Sequence, residues 1–162
     1  LAAISLASGP GSYTGLRIGA ATAKGLCYAL ELPLIAIDAL QSLAEIARNT
    51  YPNDMLCPLI DARRMEVYNS FFDSNNRLVK EISADIIDES SYSEFEPFVY
   101  FGDGAEKLEE IWTDKNCFAD LSIKSSAKGT PTVCTTSLPS FTISLSTSLT
   151  CSAAICVILA RA

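Results

Sequence analysis

The part of the sequence best suited to bind a ligand or carry out a reaction is one glycine-rich stretch, residues 8–19, which reads SGPGSYTGLRIG. It stands between a short apolar run and a helical pattern, so it leads into the N-terminus of a helix. Such a place can hold an anion, because free backbone N–H groups and the helix dipole both point there. Glycine also lets the backbone approach a phosphate closely. The candidate loop, for phosphate or for structure alone, consists of Gly9, Pro10, Gly11, Ser12 and Tyr13.

The loop departs from three motifs that carry defined chemistry. A Walker A loop needs a lysine after its last glycine, but Leu16 follows Gly15. The dinucleotide fingerprint is G-x-G-x-x-G, whereas the spacing here is G-x-G-x-x-x-G. A serine nucleophile elbow is G-x-S-x-G, but Ser12 directly follows Gly11. The spacing therefore favours a plain strand–helix turn with Ser12 or Tyr13 near the helix cap and no ligand.

Composition narrows the chemistry further. The 162 residues include no histidine, which excludes a Ser-His-Asp triad, a Cys-His pair and any histidine-based zinc site. We therefore predict no catalytic and no metal-ligating residues. The net charge of −7 argues against a primary nucleic-acid binder, because such proteins usually carry a basic face. If the protein works on a nucleic acid, we expect another subunit to supply the positive surface.

The six cysteines are irregularly spaced and form no C-x-x-C pair. This pattern favours reduced thiols in the cytoplasm over a disulfide framework, with Cys27 and Cys57 as small core residues.

The elements around the loop predict an α/β layer. A buried strand is predicted over residues 2–7, a helix over 14–30, a second strand over 34–37 and a second helix over 39–48. A strand, helix, strand and helix in this order imply parallel strand pairing. We predict that residues 1–52 form one lobe.

A polar linker at residues 51–54 is the predicted boundary to a second α/β lobe, residues 53–128. Within this lobe, a turn at 73–76 should join two strands as a hairpin. A helix over 105–112 should turn Leu108, Ile111 and Trp112 inward. The strands are predicted at 55–60, 66–72, 77–82 and 98–101.

The last segment, residues 129–162, differs in kind. It carries one charge, Arg161, and is rich in serine and threonine. Its apolar run at 153–160 is shorter than the about 20 residues that a membrane span needs, so we predict no membrane association. We expect this tail to be out of the native reading frame; a weakly specified extension is the alternative. The opening LAAISLA reads as a strand entered partway, so we also expect the natural start to be missing.

The first predicted helix is lined with small side chains, which let another element approach closely. One face must cover the sheet, and a second small face suggests another helix, within the chain or from a partner. The small residues are Gly15, Gly19, Ala20, Ala21, Thr22, Ala23, Gly25 and Ala29.

Three other polar groups have two interpretations each. Asp61, Arg63 and Arg64 follow a buried strand and could contact a partner or a phosphate, but a solvated turn is favoured. The Gly-Asp-Gly run at 102–104 is interpreted as a turn rather than a metal loop. The acids at 106, 109 and 110 should form an exposed helix face rather than a pair of carboxylates for hydrolysis, because the sequence shows no converging positions for such a pair.

Three segments, residues 8–44, 60–72 and 101–108, resemble the TsaB family, and the resemblance covers roughly residues 1–128. It implies an actin-like ATPase (ribonuclease-H-like) α/β fold in two lobes, with the opening strands and first helix absent here. It also implies a closing helix that the atypical C-terminal tail replaces.

The resemblance further implies a non-catalytic subunit that supports TsaD in threonylcarbamoylation of adenosine 37 in tRNA, with a TsaE-like ATPase as a further partner. The chain alone should bind no cofactor, because ATP and metal should be bound by the partner subunits. It should contact tRNA only indirectly, and it could also form a homodimer. The alternatives are a nucleotide-binding hydrolase or kinase-like enzyme, a glycoprotease-like peptidase, or a damaged fragment. The family's helical dimerisation surface maps onto Thr14, Gly15, Arg17, Ile18, Gly19, Thr22, Ala23 and Leu26.

Overall fold

A computed structural model of the chain describes residues 3–113, 115–124 and 155–158. The chain divides into two compact units, one formed by Leu1–Ser42 with Ser126–Ala162 and the other by Leu43–Ser125. The chain passes from the first unit to the second between Ser42 and Leu43, before the linker at 51–54 where the sequence predicted the boundary.

The first unit contains a three-stranded sheet. Strand β1 (Ala3–Ala7) pairs in parallel with β2 (Leu34–Ile37), with Ile4 opposite Leu34, as the predicted strand–helix–strand order requires. Near the other end of the chain, the strand Ile155–Ile158, which we call β8, pairs antiparallel with β1 and completes the order β2-β1-β8. The origin of the tail that contains β8 stays a prediction.

Helix α1 (Tyr13–Leu30) connects β1 and β2, and it matches the predicted span to one residue. It begins at Ser12, whose hydroxyl accepts a hydrogen bond from the N–H of Gly15 at 3.4 Å. It ends at Glu31, which adopts a left-handed conformation with φ 51° and donates its N–H to the carbonyl of Cys27. These local signals explain why the sequence located both ends correctly.

The inner face of α1 covers β1. Ala23 is completely buried and packs with Ile4 and Leu6 of β1, and Ala20 and Cys27 contact the same cluster. Small side chains on this face let the helix lie close to the strand, as their spacing predicted.

Helix α2 (Ala39–Arg48) has the predicted bounds. It begins at Asp38, whose Oδ1 accepts hydrogen bonds from the N–H groups of Leu40 at 2.8 Å and Gln41 at 3.0 Å. Burial raises the pKa of Asp38 in spite of these bonds. In the second unit, α2 contributes to one core cluster of buried residues, namely Leu43, Ala44, Ala47, Leu56, Phe72, Val99, Phe101 and Ile123.

The second unit contains a five-stranded sheet with the order β5-β4-β3-β6-β7. Its first three strands form antiparallel pairs, while β6 and β7 run parallel to β3. The four predicted strands are confirmed, although β5 is longer and begins later than predicted, and β7 was not predicted. The strands are β3 (Met55–Asp61), β4 (Glu66–Phe72), β5 (Leu78–Ile86), β6 (Phe98–Phe101) and β7 (Cys117–Asp120).

An aromatic cluster covers the other face of this sheet. Trp112 packs edge-on against Tyr100, with ring centroids 5.0 Å apart, and against Phe98 at 5.6 Å. Phe71 stacks on Phe95 at 4.3 Å. Phe95 belongs to a short 3₁₀ turn, Ser93–Phe95.

The helix predicted over residues 105–112 is wrong. The structure has only a 3₁₀ turn there, Glu106–Leu108, followed by further turns. A segment this short gains little from helix propagation, and its shape follows from what its apolar side chains pack against. Leu108 and Trp112 are buried as predicted, Ile111 is half-buried, and the three acids are exposed but not on an α-helix.

Candidate partner-binding surface

The glycine loop leads from β1 into α1, and its backbone and Ser8 side chain are hydrogen-bonded to the end of β2 and the start of α2. The hydroxyl of Ser8 donates to the carbonyl of Ile37 at 3.1 Å, and the carbonyl of Gly9 accepts the N–H of Ala39 at 2.8 Å. Gly9 is buried with φ +109°, and an added Cβ would lie 3.2 Å from Leu16 Cδ1. Glycine is therefore needed at position 9 for the backbone conformation.

The exposed part of the loop makes helix-capping contacts. The hydroxyl and carbonyl of Ser12 accept the N–H groups of Gly15 and Leu16. Tyr13 is 73% exposed, and Nη1 of Arg17 donates to its hydroxyl at 3.0 Å. These bonds fit the interpretation as a strand–helix turn, while the phosphate interpretation of the loop stays a prediction.

The residues predicted as a partner interface lie on two different faces of α1. Gly19 and Ala23 are buried within the chain. Gly15 is half-buried and Arg17 is exposed. The structure therefore assigns Gly19 and Ala23 to the packing of α1 within its own unit, which is the internal alternative that the small-residue pattern left open.

The remaining four residues form one exposed line along α1, which we call the α1 ridge: Thr14, Ile18, Thr22 and Leu26. They recur every four residues, and side chains at this spacing stand one above the other on a helix. Ile18 is 61% exposed and Leu26 is 38% exposed. A line with two exposed apolar side chains, Ile18 and Leu26, and the smaller Thr22 between them is suited to contact another protein element.

Within the described part of the chain, no group of three or more His, Cys, Asp or Glu side chains could hold a metal ion. Burial raises the pKa of the Cys57 thiol well above its usual value, so this thiol is a core group rather than a nucleophile. Among the described helices, none has the length and apolar character to cross a membrane.

The sequence interpretation missed a polar cluster in the second unit. Oδ2 of Asp85 accepts hydrogen bonds from Asn69 at 3.0 Å, Lys80 at 2.9 Å and Ser83 at 2.8 Å, and also from the hydroxyl of Tyr92. Burial would raise the pKa of Asp85, but these hydrogen bonds outweigh burial and hold it well below its usual range. The signal was the set of polar residues within the β4–β5 hairpin, but strand alternation alone would not have brought them together.

The two units, each built from a sheet with helices or turns packed on it, define an α/β protein. A family model described as "TsaD: tRNA N6-adenosine threonylcarbamoyltransferase" matches residues 1–155, and the chain belongs to that family.

Curated relatives confirm the resemblance to TsaB. The chain is 39% identical over 85 residues to the "tRNA threonylcarbamoyladenosine biosynthesis protein TsaB" of Bacillus subtilis, a match that covers 52% of this chain and 36% of the relative. It is 41% identical over 68 residues to the protein of the same name from Haemophilus influenzae, covering 42% of this chain and 29% of the relative. The matches thus span about a third of the length of these relatives.

Solved structures show the fold. "YeaZ from Pseudomonas aeruginosa" matches with a TM-score of 0.70 and 23% identity, over 86% of this chain and 68% of that one. A second structure, described as an uncharacterized protein with similarity to peptidase YEAZ from the same organism, matches with a TM-score of 0.65 and 23% identity, over 83% and 65%. The α/β fold expected from the resemblance is confirmed.

Proposed function

We propose that the chain belongs to a non-catalytic subunit that supports a TsaD-type enzyme in forming threonylcarbamoyladenosine at position 37 of tRNA. The relatives are named for this biosynthesis, and the α1 ridge is the observation on this chain that carries the proposal. A cytoplasmic location belongs to the same proposal, because tRNA is modified there.

The chemistry of the ridge supports contact with a protein. Ile18 and Leu26 are separated by two helical turns, and Thr22 between them is small enough for a partner helix to approach. The same helix carries Tyr28, 90% exposed, and Leu30, 52% exposed, toward its end. Burial of such side chains contributes about 25 cal/mol per Å² of apolar surface removed from water.

The absence of histidine from the sequence supports a division of labour between subunits. ATP and metal would be bound by the TsaD-type and TsaE-like partners, and this chain would contribute a surface that binds the TsaD-type subunit. The TsaD-type subunit is the partner proposed for the α1 ridge.

Co-purification with the TsaD-type subunit of the same organism tests the proposal. Ile18→Asp and Leu26→Asp place a charge on the ridge, and each should weaken the complex at least tenfold, because an unpaired carboxylate would be buried at the contact. The matched control is Ile86→Asp, which changes a 78% exposed isoleucine on β5 of the other unit and should leave the complex intact.

Circular dichroism should show the same helix content for all variants, because Ile18 and Leu26 are both exposed. If the ridge variants bind as tightly as the control, the ridge is not the contact. If the isolated chain hydrolyses ATP or modifies tRNA without a partner, the non-catalytic role is wrong.

A further inference from the structure

The turn between β3 and β4 holds two consecutive arginines in a backbone conformation that does not suit them. Arg63 has φ 76° and Arg64 has φ 50°, both in the left-handed region. Glycine, asparagine and aspartate adopt this region at lower cost, and they are the residues usually found in turns that require it. A turn that needs only to reverse the chain would be more stable with those residues.

Hydrogen bonds from the side chain of Lys107 hold the backbone of this turn. Nζ of Lys107 donates to Oδ1 of Asp61 at 2.6 Å and to the carbonyls of Arg64 at 2.9 Å and Glu66 at 2.7 Å. The same Asp61 oxygen accepts the backbone N–H of Arg63 at 2.7 Å. One lysine therefore clamps both sides of the hairpin and leaves little freedom to its backbone.

Both arginine side chains are exposed, and in the described part of the chain neither guanidinium donates a hydrogen bond or forms an ion pair. The neighbouring acid Asp61 is bound by Lys107, whose hydrogen bond is the main reason that the pKa of Asp61 lies below its usual value; the charge of Arg63 adds to this shift without forming an ion pair. By contrast, the guanidinium of Arg48 donates to three backbone carbonyls. The turn thus presents two adjacent, unsatisfied guanidinium groups on a rigid base.

We propose that Arg63 and Arg64 form a contact for a phosphate group and, if the proposed function holds, for a phosphate of the tRNA backbone. A carboxylate is satisfied by the fork of one guanidinium, whereas a phosphate has further acceptor oxygens and can be held by two. The inference adds one direct RNA contact to a subunit otherwise expected to reach tRNA through its partner.

Neighbouring acids set the strength of this contact. Beside Met65 lies a shallow, open depression of the surface whose lining includes Asp88 and Glu89. Because these charges oppose long-range attraction of a polyanion, the two arginines act at contact distance. Such contacts fix the register and orientation of a nucleic acid on the protein and carry no direct sequence information.

The first test uses the ¹⁵N-labelled full chain and follows the side-chain Nε–Hε signals of its arginines. Inorganic phosphate and a short RNA hairpin are titrated separately. We expect the signals of Arg63 and Arg64 to shift with both probes, and at a lower phosphate concentration with RNA. Arg77 is the matched control, because it is an exposed arginine of the neighbouring β4–β5 hairpin without a second arginine beside it.

The second test measures RNA affinity of the complex with the TsaD-type subunit as salt is raised. Arg63→Gln and Arg64→Gln should each weaken RNA binding about threefold to tenfold and lower the slope of log affinity against log salt by about one. Arg77→Gln should change neither quantity. Arg63→Gly and Arg64→Gly should lose the same affinity while raising the Tm, since glycine relieves the unfavourable backbone conformation.

Equal shifts at all three arginines, or none at Arg63 and Arg64, would overturn the proposal. So would a poly-glutamate peptide that shifts these signals as strongly as RNA, because the turn would then be a carboxylate contact. Phosphate binding without tighter RNA binding supports the phosphate site and overturns the tRNA assignment. Loss of TsaD-type binding in ridge variants is a separate readout, so failure here leaves the ridge proposal untouched.

Discussion

Lys80 and Asp85 form an ion pair along a single strand, β5, with Nζ of the lysine 2.9 Å from Oδ2 of the aspartate. Residues an odd number apart on a regular strand point to opposite faces of the sheet. A β-bulge changes this: Asn69 pairs with Ser83 and Phe71 with Lys80, so two steps along β4 match three along β5. The extra residue turns Lys80 to the same face as Ser83 and Asp85.

Replacing Lys80 should lower the free energy of unfolding. Lys80→Met leaves Asp85 charged without its cation, and we expect a loss of about 1–2 kcal/mol in the free energy of unfolding. The side chains are 23% and 32% exposed, so solvent screening keeps the loss below that of a fully buried pair. Urea denaturation of Lys80→Met, Asp85→Asn and the double variant measures it. The double variant should lose less than the sum of the two; strict additivity would show that the residues are not coupled.

The same carboxylate should make the second unit sensitive to acid. The pKa of Asp85 is held below its unfolded value of about 4, so its contribution to stability is present above that value. It is lost as the pH falls below about 4, because the unfolded chain then binds a proton that the folded chain resists. Thermal unfolding at pH 7, 5 and 3 should show a steeper loss for the native chain than for Asp85→Asn. Parallel curves would contradict the prediction.

Arg48 should be more important to stability than its position at the end of α2 suggests. Its Nη1 donates to the carbonyls of Tyr51 and Asp54, both at 2.9 Å, and its Nη2 donates to that of Asp73 at 2.6 Å. Arg48→Met removes all three bonds, and we expect a loss of about 2 kcal/mol or more, measured by urea denaturation. Arg77→Met, on an exposed arginine of the hairpin that contains Asp73, should cost much less. Equal losses would mean that these bonds contribute little.

Two glycines should respond to alanine in opposite directions. Gly102 has φ +106°, and an added Cβ would lie 2.2 Å from the carbonyl oxygen of Leu59, so Gly102→Ala should cost about 3 kcal/mol or more. Gly25 lies on the exposed side of α1 with open space around it. Gly25→Ala should raise stability by about 0.5–1 kcal/mol, because alanine is the better helix former. Differential scanning calorimetry of both variants tests the pair, and a destabilising Gly25→Ala would contradict the expected free space.

Elements with local end signals were the ones that the sequence predicted well. Ser12 and Asp38 cap their helices through bonds to residues two or three positions away, and Pro33 stands shortly after the end of α1. Capping bonds of this kind join neighbours in the chain, so the pattern of residue types contains them. The resemblance to the TsaB family likewise rested on contiguous segments.

Residues whose structure depends on distant partners could not be assigned in this way. The sequence shows that α1 is lined with small side chains, but only β1 decides that Gly19 and Ala23 face inward while Ile18 and Leu26 remain exposed. Similarly, the segment at 105–112 has helical spacing, yet its conformation follows the sheet on which Leu108 and Trp112 pack. A side chain is buried only when another surface covers it, so the residue pattern of one segment cannot show which of its faces will be covered.

Residue order along the chain was therefore enough to predict the strand–helix–strand–helix order up to residue 48, four strands of the second unit, the ends of both α-helices, the family resemblance and the exclusion of histidine-based chemistry. The tertiary structure alone decided which side of α1 is available to a partner, where the β5 bulge joins Lys80 to Asp85, and that Arg63 and Arg64 stand unpaired on a clamped turn. The difference follows from the separation of the interacting residues along the sequence. Hydrogen bonds between near neighbours depend on the local order of residues, whereas burial and ion pairing depend on contacts that form only when distant segments meet.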